Sequence, residues 1–221
     1  PNVFFEDGTT TVFQGAQTNF NSVGGTDFII GQNSRFDLAG STSNNLTVSA
    51  GGVGLNPGSI LTATGTDNRV NFASTSGVFN QVPGSNISPP GSVSIVNITA
   101  TQAVDLSTLE APTIHAHAGS FARFDGGNVG VGGQATNVNV TATSLSFDTG
   151  STSNFLGTDV NVILTGDQGI TLEPNSRWNL NGSLSNRATL SSPTGTILLD
   201  NNSALVGTDF SELIFHPEVS S

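Results

Sequence analysis

Two histidines are the residues of this chain that come nearest to a metal site. His115 and His117 alternate with apolar residues, which is the pattern of a strand. Because side chains along a strand alternate between its two faces, both imidazoles point to the same side. Two imidazoles on one face can ligate a metal ion, with a third ligand from a neighbouring strand such as Ser146 or Asp148. The simpler interpretation, which we adopt, is two solvated surface histidines and no metal site.

The carboxylates show no catalytic pairing in the sequence. Enzymes that cleave polysaccharides hold two carboxylates in a cleft, or combine acids with calcium and a basic residue. The 16 acidic residues here are scattered, and Asp67, Asp159 and Asp209 each follow the same Gly-Thr dipeptide, where Asp is a turn-forming residue. We therefore predict no catalytic residues, no cofactor and no enzymatic activity. A polysaccharide-acting protein remains a further alternative.

Composition limits the partners. The chain has five arginines, no lysine, no cysteine and a net charge of -11, so we expect no nucleic-acid binding, no disulfide and no cysteine-based zinc site. It contains no run of 18 apolar residues, so we expect no membrane insertion. Low charge density with abundant Ser, Thr, Asn and Gly favours an extracellular or cell-surface location.

A repeat organises the sequence. Gly or Asn is followed by Ser and, seven residues after the first position, by Gly. Successive copies begin 16, 25, 26, 35, 31, 25 and 27 residues apart. Self-similarity at a step near 25 indicates a solenoid, in which each repeat is one coil. The copies begin at Gln17 (a looser match), Asn33, Gly58, Gly84, Gly119, Gly150, Asn175 and Asn202 (shortened by two residues).

Three alternating apolar segments fit into each repeat. One precedes the Gly/Asn-Ser pair, as in Phe28/Ile30, and one follows it, as in Phe36/Leu38. In the same alignment Ile114/Ala116 belongs to the first segment and Ala122/Phe124 to the second. A third segment lies before the next repeat. Spacing of two is strand spacing, so each repeat contains three short strands.

These segments predict an all-β fold, a right-handed parallel β-helix. It is a three-sided solenoid of about eight coils of roughly 25 residues, forming a single domain over residues 1–221. The hand follows from the usual crossover preference of parallel strands. A β-sandwich would not require Gly-Ser pairs in fixed register. The segment 79–91 contains three of the nine prolines and alternates poorly, so we expect a protruding loop there.

Threonine pairs raise an ice-binding alternative, because flat solenoid faces with regularly spaced Thr can order water. An ice-binding face needs such pairs on consecutive coils of one side. The alignment places the pairs on different strands, so we rank ordinary exposed faces above ice binding. The pairs are Thr62/Thr64, Thr99/Thr101 and Thr141/Thr143.

The strings GGVGLNPGSILTATG (51–65) and GITLEPNSRWNLNG (169–182) resemble the repeats of filamentous-haemagglutinin-like surface adhesins. The resemblance covers roughly residues 28–207. It implies a secreted, right-handed β-helical shaft on a bacterial surface, used for adhesion or as a structural fibre. The partners of such a shaft would be host or cell-surface glycans or proteins.

Both terminal segments are apolar, and neither shows an amphipathic capping helix. The ends of a β-helix carry unpaired backbone groups that must be covered. We therefore expect segments 1–15 and 208–221 to contact copies of the same chain in a head-to-tail structural fibre. The alternative is the shaft of an adhesin. The candidate assembly contacts are Val3, Phe4, Phe5, Val12, Phe13, Phe210, Leu213, Ile214 and Phe215.

Overall fold

The computed structural model describes residues 2–207 and 210–216, without the side chains of residues 210 and 211. The described chain consists of strands, turns and bends, with no helix among these residues, which confirms the all-β prediction. The strands are β1 (Val3–Phe5), β2 (Thr10–Val23), β3 (Asp27–Ile30), β4 (Arg35–Ala50), β5 (Gly52–Leu55), β6 (Ile60–Ala63), β7 (Asp67–Ser74), β8 (Phe79–Gln81), β9 (Asn86–Ser88), β10 (Ile95–Ala100), β11 (Ala103–Leu106), β12 (Thr108–Leu109), β13 (Thr113–Ala118), β14 (Phe121–Phe124), β15 (Gly127–Gly130), β16 (Thr136–Phe147), β17 (Thr152–Leu172), β18 (Arg177–Ser191), β19 (Thr196–Leu199), β20 (Ala204–Gly207) and β21 (Phe210–His216).

The strands stack in parallel into three columns, which we name face A, face B and face C in chain order. The longest strand, β17, bends through two corners and contributes to all three faces. In-register residues on face A are Val3, Phe28, Val53, Phe79, Val104, Ala122, Leu145, Ile170 and Ile197. On face B they are Thr11, Phe36, Leu61, Ile87, Leu109, Val129, Phe155, Leu180 and Gly207. On face C they are Phe20, Leu46, Val70, Val96, Ile114, Val138, Val162, Ala188 and Leu213.

Each column therefore has nine levels separated by eight steps, and the chain forms a parallel β-solenoid of about eight turns. The prediction of a parallel β-helix of about eight coils is confirmed, and its right hand stays a prediction. Eight steps of about 4.8 Å correspond to a rod of roughly 38 Å. The inner rows form one continuous apolar core, with side chains such as Phe36, Leu55 and Val162 fully buried. Burying each such side chain stabilises the fold by about 1.5–3 kcal/mol.

The Gly/Asn-Ser pair of the repeat forms the corner between faces A and B. The first residue has a positive φ, 55° at Asn33 and 71° at Gly58, and the N–H of the serine donates to the carbonyl three residues earlier. This is the geometry of a type II β-turn, whose third position requires positive φ and therefore favours Gly or Asn. The same conformation occurs at Gly84, Gly150, Asn175 and Asn202.

Buried polar side chains form the corner between faces B and C. Asn44 Oδ1 accepts the N–H of Gly40 at 2.8 Å, and Asn44 Nδ2 donates to Asn68 Oδ1 on the next coil at 2.7 Å. A Cβ at Gly40 would collide with the Asn44 amide. The φ of Gly40 is not in the left-handed region, so backbone conformation does not require glycine there. Glycine is required at the end of the repeat because the Asn44 amide leaves no room for a side chain.

The repeat alignment is wrong around Gly119, which does not lie at the A–B corner. Ile114 belongs to face C, and Ala122 to face A. Between Gly84 and Gly150 the chain forms three coils where the alignment counted two. The reason is a short coil: Ser107 alone joins β11 to β12, and the step from Val104 to Ala122 is the shortest on face A. The looser copy at Gln17 lies inside β2, where the chain turns from face B to face C, so it does not mark an A–B corner either.

The expected loop at 79–91 is corrected as well. This segment contributes β8 to face A and β9 to face B, with Phe79 and Ile87 fully buried. Pro83 occupies the second position of the turn that ends with the Ser85 N–H donating to Val82 O at 3.0 Å. Proline favours that position because its φ is already fixed near the required value, so it shapes the corner here.

Candidate functional site

The inner side chains of the first described coil include aromatic rings. The next coil packs against one side of these rings, and no described coil covers the other side. Phe5 and Phe13 turn inward and pack against the core while remaining partly exposed. Phe5 and Phe36 contact edge to face with ring centroids 5.0 Å apart, and Phe13 lies 5.4 Å from Phe20. Among the described residues, β1 and β2 pair on one side, with β3 and β4. This end therefore presents aromatic surface together with a free strand edge.

The last described coil has the same character. Leu213 and Phe215 are in register with the buried Ala188 and Leu190, which places them on the inner side of β21, yet they are 39% and 43% exposed. Leu199 on β19 is 48% exposed at the position where the preceding coil buries Leu172. The apolar rows of the core thus reach the surface at both ends of the described solenoid.

The nine predicted contact residues divide according to this geometry. Val3, Phe5 and Phe13 lie on the inner side of the first coil, and Leu213 and Phe215 on the inner side of the last. The outer positions are Phe4, which is exposed on face A, Val12, which is exposed on face B, and Ile214, which is half-buried on face C; the Phe210 side chain lies outside the described residues. Four further inner end residues were missed: Phe20, Ile197, Leu199 and Leu205.

A cluster of charged residues on face A was not foreseen. Arg123 Nε lies 3.0 Å from Asp105 Oδ1 and 3.1 Å from Asp125 Oδ1, and its Nη1 lies 3.8 Å from Asp148 Oδ2. These acids come from three successive coils: Asp105 pairs with Arg123, and Asp125 and Asp148 directly follow the paired Phe124 and Phe147. Because one arginine faces three carboxylates, the cluster has excess negative charge. Arg123 is bound within these ion pairs, and we assign the cluster to the architecture of face A.

The Asp125 carboxyl is the perturbed group of this cluster. Its side chain is only 7% exposed. Burial raises its pKa from 3.8 to about 7, and a hydrogen bond with Asp148 adds to the rise, while the charge of Arg123 opposes it. Near neutral pH the native state therefore holds a proton that the unfolded chain has released.

We predict that Asp125→Asn removes a pH dependence of stability. In the wild type the native pKa of Asp125 lies above its unfolded value, so its stabilising proton is fully bound below about pH 4 and is lost as pH rises through about 7. Between about pH 4 and pH 8 this group should lower the free energy of unfolding by about 4 kcal/mol. Urea unfolding at several pH values in this window measures the slope.

The quantity to compare is the difference in the pH slope of the unfolding free energy between wild type and variant. The net charge of -11 adds its own pH dependence to both proteins. Asp167→Asn is the matched control, since Asp167 is exposed and should leave the slope unchanged. Parallel slopes for wild type and Asp125→Asn would contradict the assignment.

The histidine pair lies where the alternation predicts. His115 and His117 are exposed on the outer side of β13, and Ile114 and Ala116, which alternate with them, are buried. The suggested third ligands are wrong: Ser146 pairs with Arg123 on face A, and Asp148 contacts the same arginine. The actual neighbours on face C are Asn97 and Thr99 on β10 and Asn139 and Thr141 on β16.

Metal clusters, membrane-spanning helices and an ice-binding threonine face are the other site types considered in the sequence. Within residues 2–207 and 210–216 no group of three or more His, Cys, Asp or Glu side chains is placed to hold a metal ion. The same part of the chain contains no helix of the length and apolarity needed to cross a membrane. The Thr pairs do not form a face: Thr62 is on face B, and Thr99 and Thr141 on face C are separated by His117.

No protein-family model, curated protein or solved structure matches the chain.

Proposed function

We propose that this protein is a non-enzymatic structural subunit of an extracellular or cell-surface fibre, in which copies stack head to tail through the ends of the solenoid. The observation that carries the proposal is the open core: inward-facing Phe5 and Phe13 at one end, and Leu199, Leu213 and Phe215 at the other, remain partly or substantially exposed. Burial of such rows against another coil is the interaction that already holds successive coils together.

The geometry of the two ends is compatible with a continuous stack. Face A of a second copy would follow β19, and the register repeated along the column would place its Phe5 over Leu199. On face C the same register places its Phe20 over Leu213. Strand addition would also satisfy the free backbone groups at each end, as in other cases of β-augmentation.

The alternative is an adhesin shaft, favoured by the resemblance of the strings at 51–65 and 169–182 to adhesin repeats. In that arrangement the next coil at each end belongs to the same polypeptide, and lateral faces bind glycans or proteins. The polar outer side of face C, with Asn71, Asn97 and Asn139 in one row, is compatible with such contacts.

Purified protein distinguishes the two arrangements. Head-to-tail stacking predicts filaments in negative stain whose amount rises with concentration, with an axial repeat of about 43 Å for nine levels of about 4.8 Å. Sedimentation velocity should show species well above the monomer mass of 22.5 kDa. A monomer at several hundred micromolar would overturn the assembly proposal and favour the shaft.

A paired set of variants locates the contact. Phe215→Glu places a charge in the apolar inner side of the last coil and should abolish filaments. Leu184→Glu is the control, because Leu184 is 72% exposed at a lateral corner and a charge there should leave filaments intact. Equal loss of filaments in both variants would point to lateral association instead.

A further inference from the structure

A shallow depression on face C surrounds the two histidines. It has a volume of about 180 Å³ and contains no arginine or acidic side chain among its lining residues. His115 and His117 form its centre, because they are the outer residues of β13 between two neighbouring strands. The groups that flank them are Asn97, Thr99, Asn139 and Thr141.

The orientation of one imidazole is fixed by a hydroxyl. His117 Nδ1 lies 2.8 Å from Thr141 Oγ1. When Nδ1 donates its proton to this oxygen, the lone pair is on Nε2, which is then the nitrogen able to bind a cation. Histidines that ligate metals are commonly held by a hydrogen bond through their other ring nitrogen. Thr141 is therefore a positioning residue for His117.

An oxygen donor lies beside the second imidazole. Asn139 is in register with His115, and its Oδ1 is buried without a hydrogen-bond partner in the described structure. A buried carbonyl oxygen left in this state is energetically unfavourable. Coordination of a cation would satisfy it, and the site then offers two nitrogens and one oxygen on adjacent strands.

We propose that His115 and His117, with the amide oxygen of Asn139, bind a divalent transition-metal ion on face C. Imidazole nitrogen suits Cu²⁺, Zn²⁺ and Ni²⁺ better than it suits Mg²⁺ or Ca²⁺, and Cu²⁺ forms the most stable complexes of the series. Water molecules complete the coordination of the ion. The site is lateral, so metal binding does not depend on the stacking of copies at the ends.

Titration of the full chain with CuCl₂ and ZnCl₂, followed by calorimetry, tests the proposal. We expect one equivalent of metal, with Cu²⁺ bound more tightly than Zn²⁺. Thr141→Val should weaken Cu²⁺ binding by roughly tenfold, because it removes only the group that holds His117. His115→Gln and His117→Gln should each weaken it more than Thr141→Val does, because each removes a ligand.

Electron paramagnetic resonance of the Cu²⁺ complex supplies a second readout. The spectrum should show coupling to two imidazole nitrogens in the wild type and to one in either single variant. His216→Gln is the control and should leave affinity and spectrum unchanged, since His216 lies on β21, away from the depression. Unchanged Cu²⁺ affinity in the His115→Gln/His117→Gln double variant would assign the ion to the carboxylates and overturn the proposal.

Discussion

Replacing Trp178 by alanine is expected to destabilise the protein by about 3–5 kcal/mol. Trp178 is the largest fully buried side chain, and its ring lies 5.3 Å from Phe147 in a stacked arrangement and 5.5 Å from Phe155. Rows of the core interlock through such contacts, so the cavity left by alanine cannot be filled without moving neighbouring coils. Chemical unfolding followed by far-ultraviolet circular dichroism measures the loss, because removing the single tryptophan also removes its fluorescence.

Two further variants separate cavity formation from other effects. Trp178→Phe should lose much less stability, because it keeps an aromatic ring and removes an indole N–H that has no hydrogen-bond partner in the described structure. Leu198→Ala should change stability by less than about 0.5 kcal/mol, since Leu198 is half-exposed on the outer side of β19. A loss at Trp178→Ala below about 1 kcal/mol would contradict close packing of this row.

Asn68→Ala should destabilise the protein by about 2–4 kcal/mol. The buried Asn68 amide donates to Gly65 O at 2.7 Å and to Ser94 Oγ at 2.8 Å, and it accepts from Asn44 Nδ2 at 2.7 Å. Alanine leaves these partners inside the corner, where water does not replace the lost amide. Thermal and urea unfolding of the variant measure the effect.

Asn71→Ala is the matched control on the same strand. Asn71 lies on the outer side of β7, where water can replace the hydrogen bond that Asn97 Nδ2 donates to it. Its loss should be well below that of Asn68→Ala. The double variant Asn44→Ala/Asn68→Ala should be less destabilised than the sum of the single variants, because the two amides share a hydrogen bond. Equal losses of unfolding free energy in Asn68→Ala and Asn71→Ala would show that the buried hydrogen bonds of the corner add no more stability than an exposed one.

The inner rows of the solenoid were predictable because strand alternation is a local property. Phe28/Ile30 and Phe36/Leu38 are buried in the positions that the repeat assigned to them. The register between coils is not local. Around Gly119 the chain shortens a corner to Ser107, and a serine-glycine pattern cannot reveal how many residues a coil omits.

The same limit explains which site residues were missed. Asp105, Asp125 and Asp148 meet at Arg123 only because the pairing of β11, β14 and β16 brings together three coils separated by steps of unequal length. The buried Asn44 and Asn68 are also hidden in the sequence, since asparagine between strands is typical of exposed turns. Among the apolar end residues, Phe13 and Phe215 follow the alternating pattern and lie at inner positions, whereas the inner residues Leu199 and Leu205 were missed.

The pairing of each coil with the next has a consequence for how the molecule reaches its native state. Every described strand pairs with segments one coil away, from the short step between β11 and β14 to the longer one between β17 and β19. The loop that must close to add a coil is therefore similarly short at any point of the rod. The entropic cost of closing it does not grow with the number of coils already formed. Duplicating or deleting a whole coil would change the length of the rod while leaving the kinetic barrier for each new turn nearly the same.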